Sequence, residues 1–229
     1  MSRDDVFLVR HSSLPPIGES VAERAIINRM GMQIVTDFFT QLVLSGMCYH
    51  MQLGTEDAGV NSTTAMDDQL SSLVMDNNAG YAAIPLLYET TPGVLATATI
   101  VQSMLEIDTA QKRYSSGGTA FVPRNMHGQS PQSWNGVAYV GPDVTIAAKT
   151  AVPNSVEFAR AFFIEDAIAD SLGYPGSWNT TVFSCKTRPM FVTYGASSLV
   201  GHFGSATADV TGYAVLQAAQ LAIAQVNAT

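Results

Sequence analysis

The side chains that could bind a metal or act in catalysis are few and widely spaced. The four histidines are His11, His50, His127 and His202, and Cys48 stands two residues before His50. Residues two apart on a strand point to the same face, but two ligands are too few for zinc, and there is no CxxC or HxxxH motif. We therefore expect packing at Cys48 and His50 rather than a metal centre.

Paired acids and a polar loop are the next candidates for ligand binding. Asp67-Asp68 and Glu165-Asp166 could contribute to a calcium site with other oxygens, and His127 lies in the polar loop RNMHGQSPQSW. Solvated turns, and loops closed by side-chain-to-backbone hydrogen bonds, are the commoner roles of such residues. The chain has no GxSxG, phosphate-loop or GxGxxG motif, and its histidines lack the spacing of a cupin site. These features predict a protein that is not an enzyme, with no cofactor and no metal.

Composition narrows the class further. The chain has 229 residues, of which 47% are apolar and 13% charged, and its net charge is −8. Globular domains usually have about 25% charged residues, so this surface is either covered by neighbours or simply uncharged. With three lysines in all (Lys112, Lys149, Lys186), we expect no electrostatic binding to nucleic acid.

The first residues and the cysteines bear on the compartment. The start of the chain, MSRDDVFLVRHSSLPP, has charges where a signal peptide needs an apolar run, and no apolar stretch is long enough for a membrane span. Cys48 and Cys185 could pair, but we expect free thiols, because a chain of this length does not need a disulfide.

Three closely spaced strands are predicted in the middle of the chain. They are Leu73–Met75, Tyr81–Tyr88 and Val94–Val101, separated by the turn residues of Asp76–Gly80 and by Thr91-Pro92-Gly93. Pro85 cannot donate a backbone hydrogen bond, so it predicts an edge strand or a bulge.

The remaining elements surround this centre. Residues 1–19 predict an extended arm, and Ser20–Ser45 a helix that ends at Gly46, although FFTQLVL could equally begin the first strand. Further strands are predicted at 48–53, 120–123, 137–140 with 144–148 as a hairpin, 181–185, 190–194, 199–203 and 212–224. Ser155–Asp170 partly fits the periods of both helix and strand, and we favour a strand, over 155–164, followed by a turn. Eight to ten short strands predict an all-β sandwich, and the jelly roll is the common eight-stranded form, here a single domain over residues 20–229.

The order of these features resembles a known family. After an arm, a helix and a strand come NAGYAAIPLLYE (78–89), GTAFVPRNMHGQS (118–130), RPMFVTYGASSL (188–199) and a strand that starts at Gly212-Tyr213. This order is similar to that of the upright single jelly-roll capsid proteins of tail-less icosahedral viruses of bacteria and archaea. The similarity extends from about Asp37 onward, and its motifs are structural rather than catalytic.

The resemblance implies a structural subunit of the virion, with the major capsid protein favoured. Copies would associate into hexon-like capsomers, with other capsid proteins and an internal membrane as further partners, after synthesis in the host cytoplasm. The arm would be the assembly interface, through its apolar and flanking residues Phe7, Leu8, Arg10, Leu14 and Pro15. Its non-basic character is a departure that argues against electrostatic contact with genome or lipid headgroups.

A binding module is the alternative. A jelly-roll domain that binds carbohydrate or a receptor, such as a spike or penton protein, usually exposes aromatic residues at loop tips. Trp134, Tyr174 and Trp178 all fall in predicted loops and would form such a site.

Overall fold

The computed structural model describes residues 38–55, 59–61, 69–92, 99–149, 154–165, 180–205 and 211–226. In this part the chain forms two antiparallel β-sheets that pack face to face, which confirms the predicted all-β sandwich. The predicted arm and the predicted helix before Phe38 lie outside the described residues. No helix in the described ranges is long and apolar enough to span a membrane.

The helices are α1 (Phe38–Leu44) and α2 (Ile223–Val226). The strands are β1 (Cys48–Leu53), β2 (Val60–Asn61), β3 (Leu70–Asn77), β4 (Tyr81–Pro92), β5 (Thr99–Asp108), β6 (Tyr114–Ser116), β7 (Thr119–Ala120), β8 (Arg124–Asn125), β9 (Gly136–Ile146), β10 (Ser155–Glu165), β11 (Thr180–Ser184), β12 (Thr193–Tyr194), β13 (Ser197–Ser205) and β14 (Thr211–Ala222).

Each sheet has seven strands. The first sheet has the order β11-β4-β14-β1-β8, with β12 also paired to β4 and β2 to β14. The second sheet has the order β10-β5-β13-β3-β9-β6, with β7 also paired to β9. Since β10 and β11 are both terminal in these orders, one side of the sandwich has two sheet edges beside which no further strand is present among the described residues, and we call these edges open.

The alternation of side chains along β1 explains how the core forms. Tyr49, Met51 and Leu53 point between the sheets and join the main hydrophobic core. Cys48 points the other way and belongs to a small cluster that includes Leu42 of α1. The period of two in the sequence therefore places one face of β1 in the core and the other under a helix.

The segment FFTQLVL is helix α1 and not the beginning of a strand. It ends before Gly46, which adopts a φ of 69°, a left-handed conformation that glycine accepts without steric cost. The helix lies on the outer face of the first sheet, where Leu42 packs with Met47, Cys48, Ile84 and Leu86.

The bulge predicted at Pro85 is confirmed, and β4 is an interior strand. The register of β4 against β14 shifts here, since Ala218 is opposite Pro85 while Gln217 is opposite Leu87. The extra residue reverses the side-chain alternation, so that Leu86 lies under α1 while Tyr88 points into the core.

The predicted hairpin across Gly141-Pro142-Asp143 is wrong. Residues 136–146 form the single strand β9, and these three residues form a bulge opposite β3, whose Ser71 and Leu73 pair with Val144 and Val140. Gly141 has a φ of 143° and makes the bulge possible, because a side chain would strain that conformation. The turn residues were recognised correctly, but they bend the strand instead of reversing it.

Other boundaries also differ from the prediction. Strand β5 begins at Thr99 and ends at Asp108, seven residues beyond the end of the predicted strand 94–101. Most of that predicted strand lies outside the described residues. Pairing near residues 120–123 and 190–194 is limited to Thr119–Ala120 and Thr193–Tyr194. The strands predicted at 48–53, 155–164, 181–185, 199–203 and 212–224 are confirmed within a few residues.

Candidate functional site

A cluster of buried charges lies on the outer face of the second sheet. Its centre is Glu106 of β5, whose side chain is fully buried. Glu106 Oε1 lies 3.3 Å from Arg113 NH1 and 3.1 Å from Lys149 Nζ, and Oε2 lies 3.2 Å from His202 Nε2. Ser155 donates a further hydrogen bond to Glu106 Oε1. Four separate segments of the chain therefore converge on one carboxylate.

Two more carboxylates hold the segment that covers this face. Asp76 accepts hydrogen bonds from the backbone amides of Arg113 (3.0 Å) and Tyr114 (3.2 Å). Asp108 Oδ1 accepts from the amides of Ala110 (3.0 Å) and Gln111 (3.2 Å). These hydrogen bonds fix residues 109–114 across the sheet. Arg113, which belongs to this segment, is fully buried.

The environment shifts the pKa values of these acids in opposite directions. Burial favours the neutral form of Glu106, but hydrogen bonds from His202 and Ser155 together with the nearby positive charges outweigh it and lower its pKa to about 2, from an ordinary 4.5. Burial raises the pKa of Asp76, because its hydrogen bonds from Ser198 and the backbone compensate only in part.

Burial also decides what this cluster can do. Glu106 and Arg113 are fully buried and His202 is 2% exposed, so a substrate has no access to them. In the described ranges, no group of three or more His, Cys, Asp or Glu side chains could hold a metal ion. The arrangement therefore acts as a structural cross-link between β5, β13 and the segments at 113 and 149.

The cysteine and two of the histidines that we singled out from the sequence lie on β1 or beside it, where the amide of Met126 donates to the carbonyl of Cys48 at 2.8 Å. Cys48 is buried beneath α1, and His50 contacts Gln52 Oε1 at 3.3 Å. His127 is held in its loop, since its amide donates to Asn125 Oδ1 at 2.9 Å. The loop at His127 is thus closed by its own hydrogen bonds.

Cys48 and Cys185 are both free thiols. Cys48 is on β1 and Cys185 follows β11, and the order β11-β4-β14-β1 puts two strands between them. Cys185 nevertheless packs against the small cluster beneath α1 that includes Cys48, and the two thiols do not form a disulfide. Burial raises the pKa of Cys48 to about 12, so that this thiol is unreactive at neutral pH.

Trp134 is in the hydrophobic core, with 6% of its surface exposed. Its indole Nε1 donates to the carbonyl of Asp76 at 2.8 Å, and its ring packs edge-on against Tyr49 at 5.5 Å. Trp134 thus has no free ring face for a sugar. The following predicted site residues lie outside the described ranges: Tyr174 and Trp178 of the alternative binding site, the acids Asp67, Asp68 and Asp166, and the arm residues Phe7, Leu8, Arg10, Leu14 and Pro15.

The most unusual part of the described surface is the side formed by the two open edges, which we call the open flank. Three aromatic side chains, Phe158, Phe183 and Phe191, close the core there, with ring centroids 4.9 and 5.3 Å apart. Six large apolar side chains are exposed on this side of the molecule, and two of them, Ile100 and Phe162, lie on the outer face of the second sheet. The six are Ile100, Val156, Phe162, Met190, Val192 and Tyr194.

Phe162 is the most exposed of these residues, at 59%, and Ile100, which is 53% exposed, is its diagonal neighbour on β5. Arg160 lies over the Phe162 ring, with its guanidinium carbon 5.6 Å from the ring centroid. The sequence contains one indication of this surface, the run of large apolar residues Phe162-Phe163-Ile164. Side-chain alternation alone does not show that the strand with this run lies at the edge of a sheet.

Comparison with protein-family models, with curated proteins and with solved structures finds no match for this chain. The function must therefore be argued from the geometry.

Proposed function

We propose that this chain is a self-assembling structural subunit of a viral capsid shell, with a jelly-roll fold and with a place in the virion. The open flank is the observation that carries the proposal. Copies of the chain, and further capsid proteins, would be its partners.

The strand order supports the jelly roll. The 11-residue β9 is added to the second sheet beside β3. Without it, the eight strands that form the rest of the two central ladders are, in chain order, β1, β3, β4, β5, β10, β11, β13 and β14. The first of these pairs with the eighth, the second with the seventh, the third with the sixth and the fourth with the fifth. Such nested pairs arise when one long antiparallel hairpin is rolled into two sheets, as in jelly rolls of capsid and lectin domains.

The open flank supports association between copies. An exposed sheet edge has unpaired backbone donors and acceptors, and proteins that stay monomeric protect such edges with charge, bulges or cover. At this flank β10 is the 11-residue edge strand of the described part of the second sheet. It has one bulge, between Glu157 and Ala159, but Phe162 and Ile100 are exposed on it and beside it. Large exposed apolar surfaces usually mark contacts with another molecule.

Composition agrees with a surface that neighbours cover. Only 13% of the residues are charged, about half the usual share. The arm residues Phe7, Leu8, Leu14 and Pro15 would add apolar contact area in the assembled shell, at about 25 cal/mol per Å² buried.

The test is a matched pair of variants at the two ends of the second sheet. Phe162→Glu on β10 should weaken assembly, because burying a phenylalanine contributes about 1.5–3 kcal/mol, which is roughly a ten- to hundredfold change in the midpoint concentration. Ser115→Glu, an exposed residue of β6 at the opposite edge, is the control. Light scattering over a concentration series measures both. Equal behaviour of the two variants would remove the open flank from the proposal.

A second variant tests the arm. A chain that lacks residues 1–19 should remain folded by circular dichroism and fail to assemble. Assembly that is unchanged by this truncation would exclude the arm from the interface.

A further inference from the structure

A groove lies on the other side of the molecule from the second sheet, between α1 and the outer face of the first sheet. Its volume is about 410 Å³, within the usual range of binding sites, which is about 300–1,000 Å³. Helix α1 forms one wall, with Phe39, Val43 and Leu44, and Leu86 and Met126 contribute to the rest.

The groove is apolar inside and basic at one end. Leu44 is 61% exposed at its rim, which is unusual for a leucine beside an apolar cluster. The turn that follows β11 contributes Lys186 to the lining and holds the exposed Arg188 two residues later. An occupant should therefore combine apolar side chains with negative charge.

We propose that this groove binds the N-terminal segment Val6–Val9 of a neighbouring copy, with Asp4 and Asp5 beside Lys186. The inference rests on the proposed self-assembly and names the surface that receives the arm. Within the segments outside the described ranges, Val6-Phe7-Leu8-Val9 is the only run of four consecutive large apolar residues.

The two aspartates of this segment complement the basic end of the groove. Asp4 and Asp5 come directly before the apolar run, while Arg3 and Arg10 stand at the outer ends of the segment, and the residues that line the groove include a lysine but no acid. A carboxylate beside an ammonium group at a rim adds little affinity, about 0–1 kcal/mol, but it fixes the direction in which the segment lies.

The connection to the rest of the chain is long enough. Twenty-eight residues separate Val9 from Phe38, and with 10–19 extended and 20–37 in the predicted helix they span up to about 60 Å. In an extended segment Phe7 and Val9 point to one side and Val6 and Leu8 to the other, so one pair can enter the groove while the second faces outward.

Photo-cross-linking in the full-length chain tests the proposal. Phe7 is replaced by p-benzoylphenylalanine, and equal amounts of ¹⁴N- and ¹⁵N-labelled protein are mixed before assembly and irradiation. The expected product joins the peptide around residue 7 to peptides that contain Val43, Leu44, Met126 or Lys186, with about half of the cross-links between light and heavy copies. Cross-links to other surfaces, or only within one copy, overturn the inference.

A charge exchange provides the second measurement. Lys186→Glu should raise the concentration needed for assembly several-fold, and combining it with Asp4→Lys and Asp5→Lys should restore it. No rescue would contradict the predicted orientation. If assemblies form but the arm cross-links elsewhere, the groove assignment fails and the proposed function stands. If the unmodified chain forms no assemblies, the proposed function itself fails.

Discussion

The change Glu106→Gln should destabilise this fold much more than Glu157→Gln. The two glutamates are opposite each other in the register of β10 and β5, and each forms an ion pair with an arginine. They differ in burial, since the Glu106 side chain is fully buried and that of Glu157 is 43% exposed. The pair of variants therefore keeps the residue type and the place in the sheet constant and varies the access of water.

Two arguments give the magnitude. A pKa of about 2 instead of 4.5 for the Glu106 carboxyl corresponds to about 3 kcal/mol of stability at neutral pH. Removing one partner of a buried ion pair usually costs about 3–5 kcal/mol, because the other charge is left uncompensated. Asp108, whose Oδ2 lies 3.8 Å from Arg113, compensates in part, so we expect about 3 kcal/mol. For the exposed pair we expect about 0–1 kcal/mol.

Urea unfolding at pH 7, followed by tryptophan fluorescence, to which the buried Trp134 contributes, measures both variants at one protein concentration below assembly. A loss of about 3 kcal/mol would lower the melting temperature by roughly 6–12 °C for a chain of this size. Losses that are equal in the two variants, each about 1 kcal/mol or less, would refute the view that Glu106 is the centre of a buried cluster.

Three further predictions concern pH, a buried hydroxyl and a close approach of the backbone. The pKa of Glu106 is lowered on folding, to about 2 from 4.5. Its contribution to the unfolding free energy is therefore complete above pH 4.5 and is lost as the pH falls toward 2. Glu106→Gln should flatten the dependence of the unfolding free energy on pH over that range. Tyr88→Phe should lower the unfolding free energy by about 1–3 kcal/mol, because the Tyr88 hydroxyl donates to a buried backbone carbonyl of β13 at 2.8 Å. Tyr114→Phe should have little effect, because the hydrogen bond of the Tyr114 hydroxyl is exposed. Equal effects of the two variants would contradict this prediction. Gly212→Ala should be strongly destabilising in thermal melts, because the new Cβ would lie 2.6 Å from a backbone carbonyl oxygen of β4. Gly80→Ala should be nearly neutral, because there is open space around its new Cβ. If Gly212→Ala has no effect, the strands of the sheet can move apart at that point.

Local patterns were sufficient to predict the fold class and most of the strands. Alternation along 48–53 and 212–224 identified β1 and β14, and Pro85 identified a bulge. Local patterns failed at Gly141-Pro142-Asp143, because the same residues suit a turn and a wide bulge, and only pairing with β3 distinguishes the two.

The buried cluster could not be predicted, because its members are distant in sequence. Glu106 and His202 are 96 residues apart, and Arg113 lies in the segment DTAQKRYSSGG (108–118), where charged residues and glycines favour a loop. One local signal was present, namely a glutamate inside the apolar strand SMLEI. The burial of Trp134 could not be predicted for a similar reason, because a loop sequence does not show that a ring packs against the core.

Mass and shape of the purified chain across a concentration and salt series test the central claim most directly. Light scattering and negative-stain microscopy should show capsomers, sheets or shells that form as the concentration rises. A chain that stays strictly monomeric at high concentration would contradict the assembly of a shell and direct attention to glycan binding.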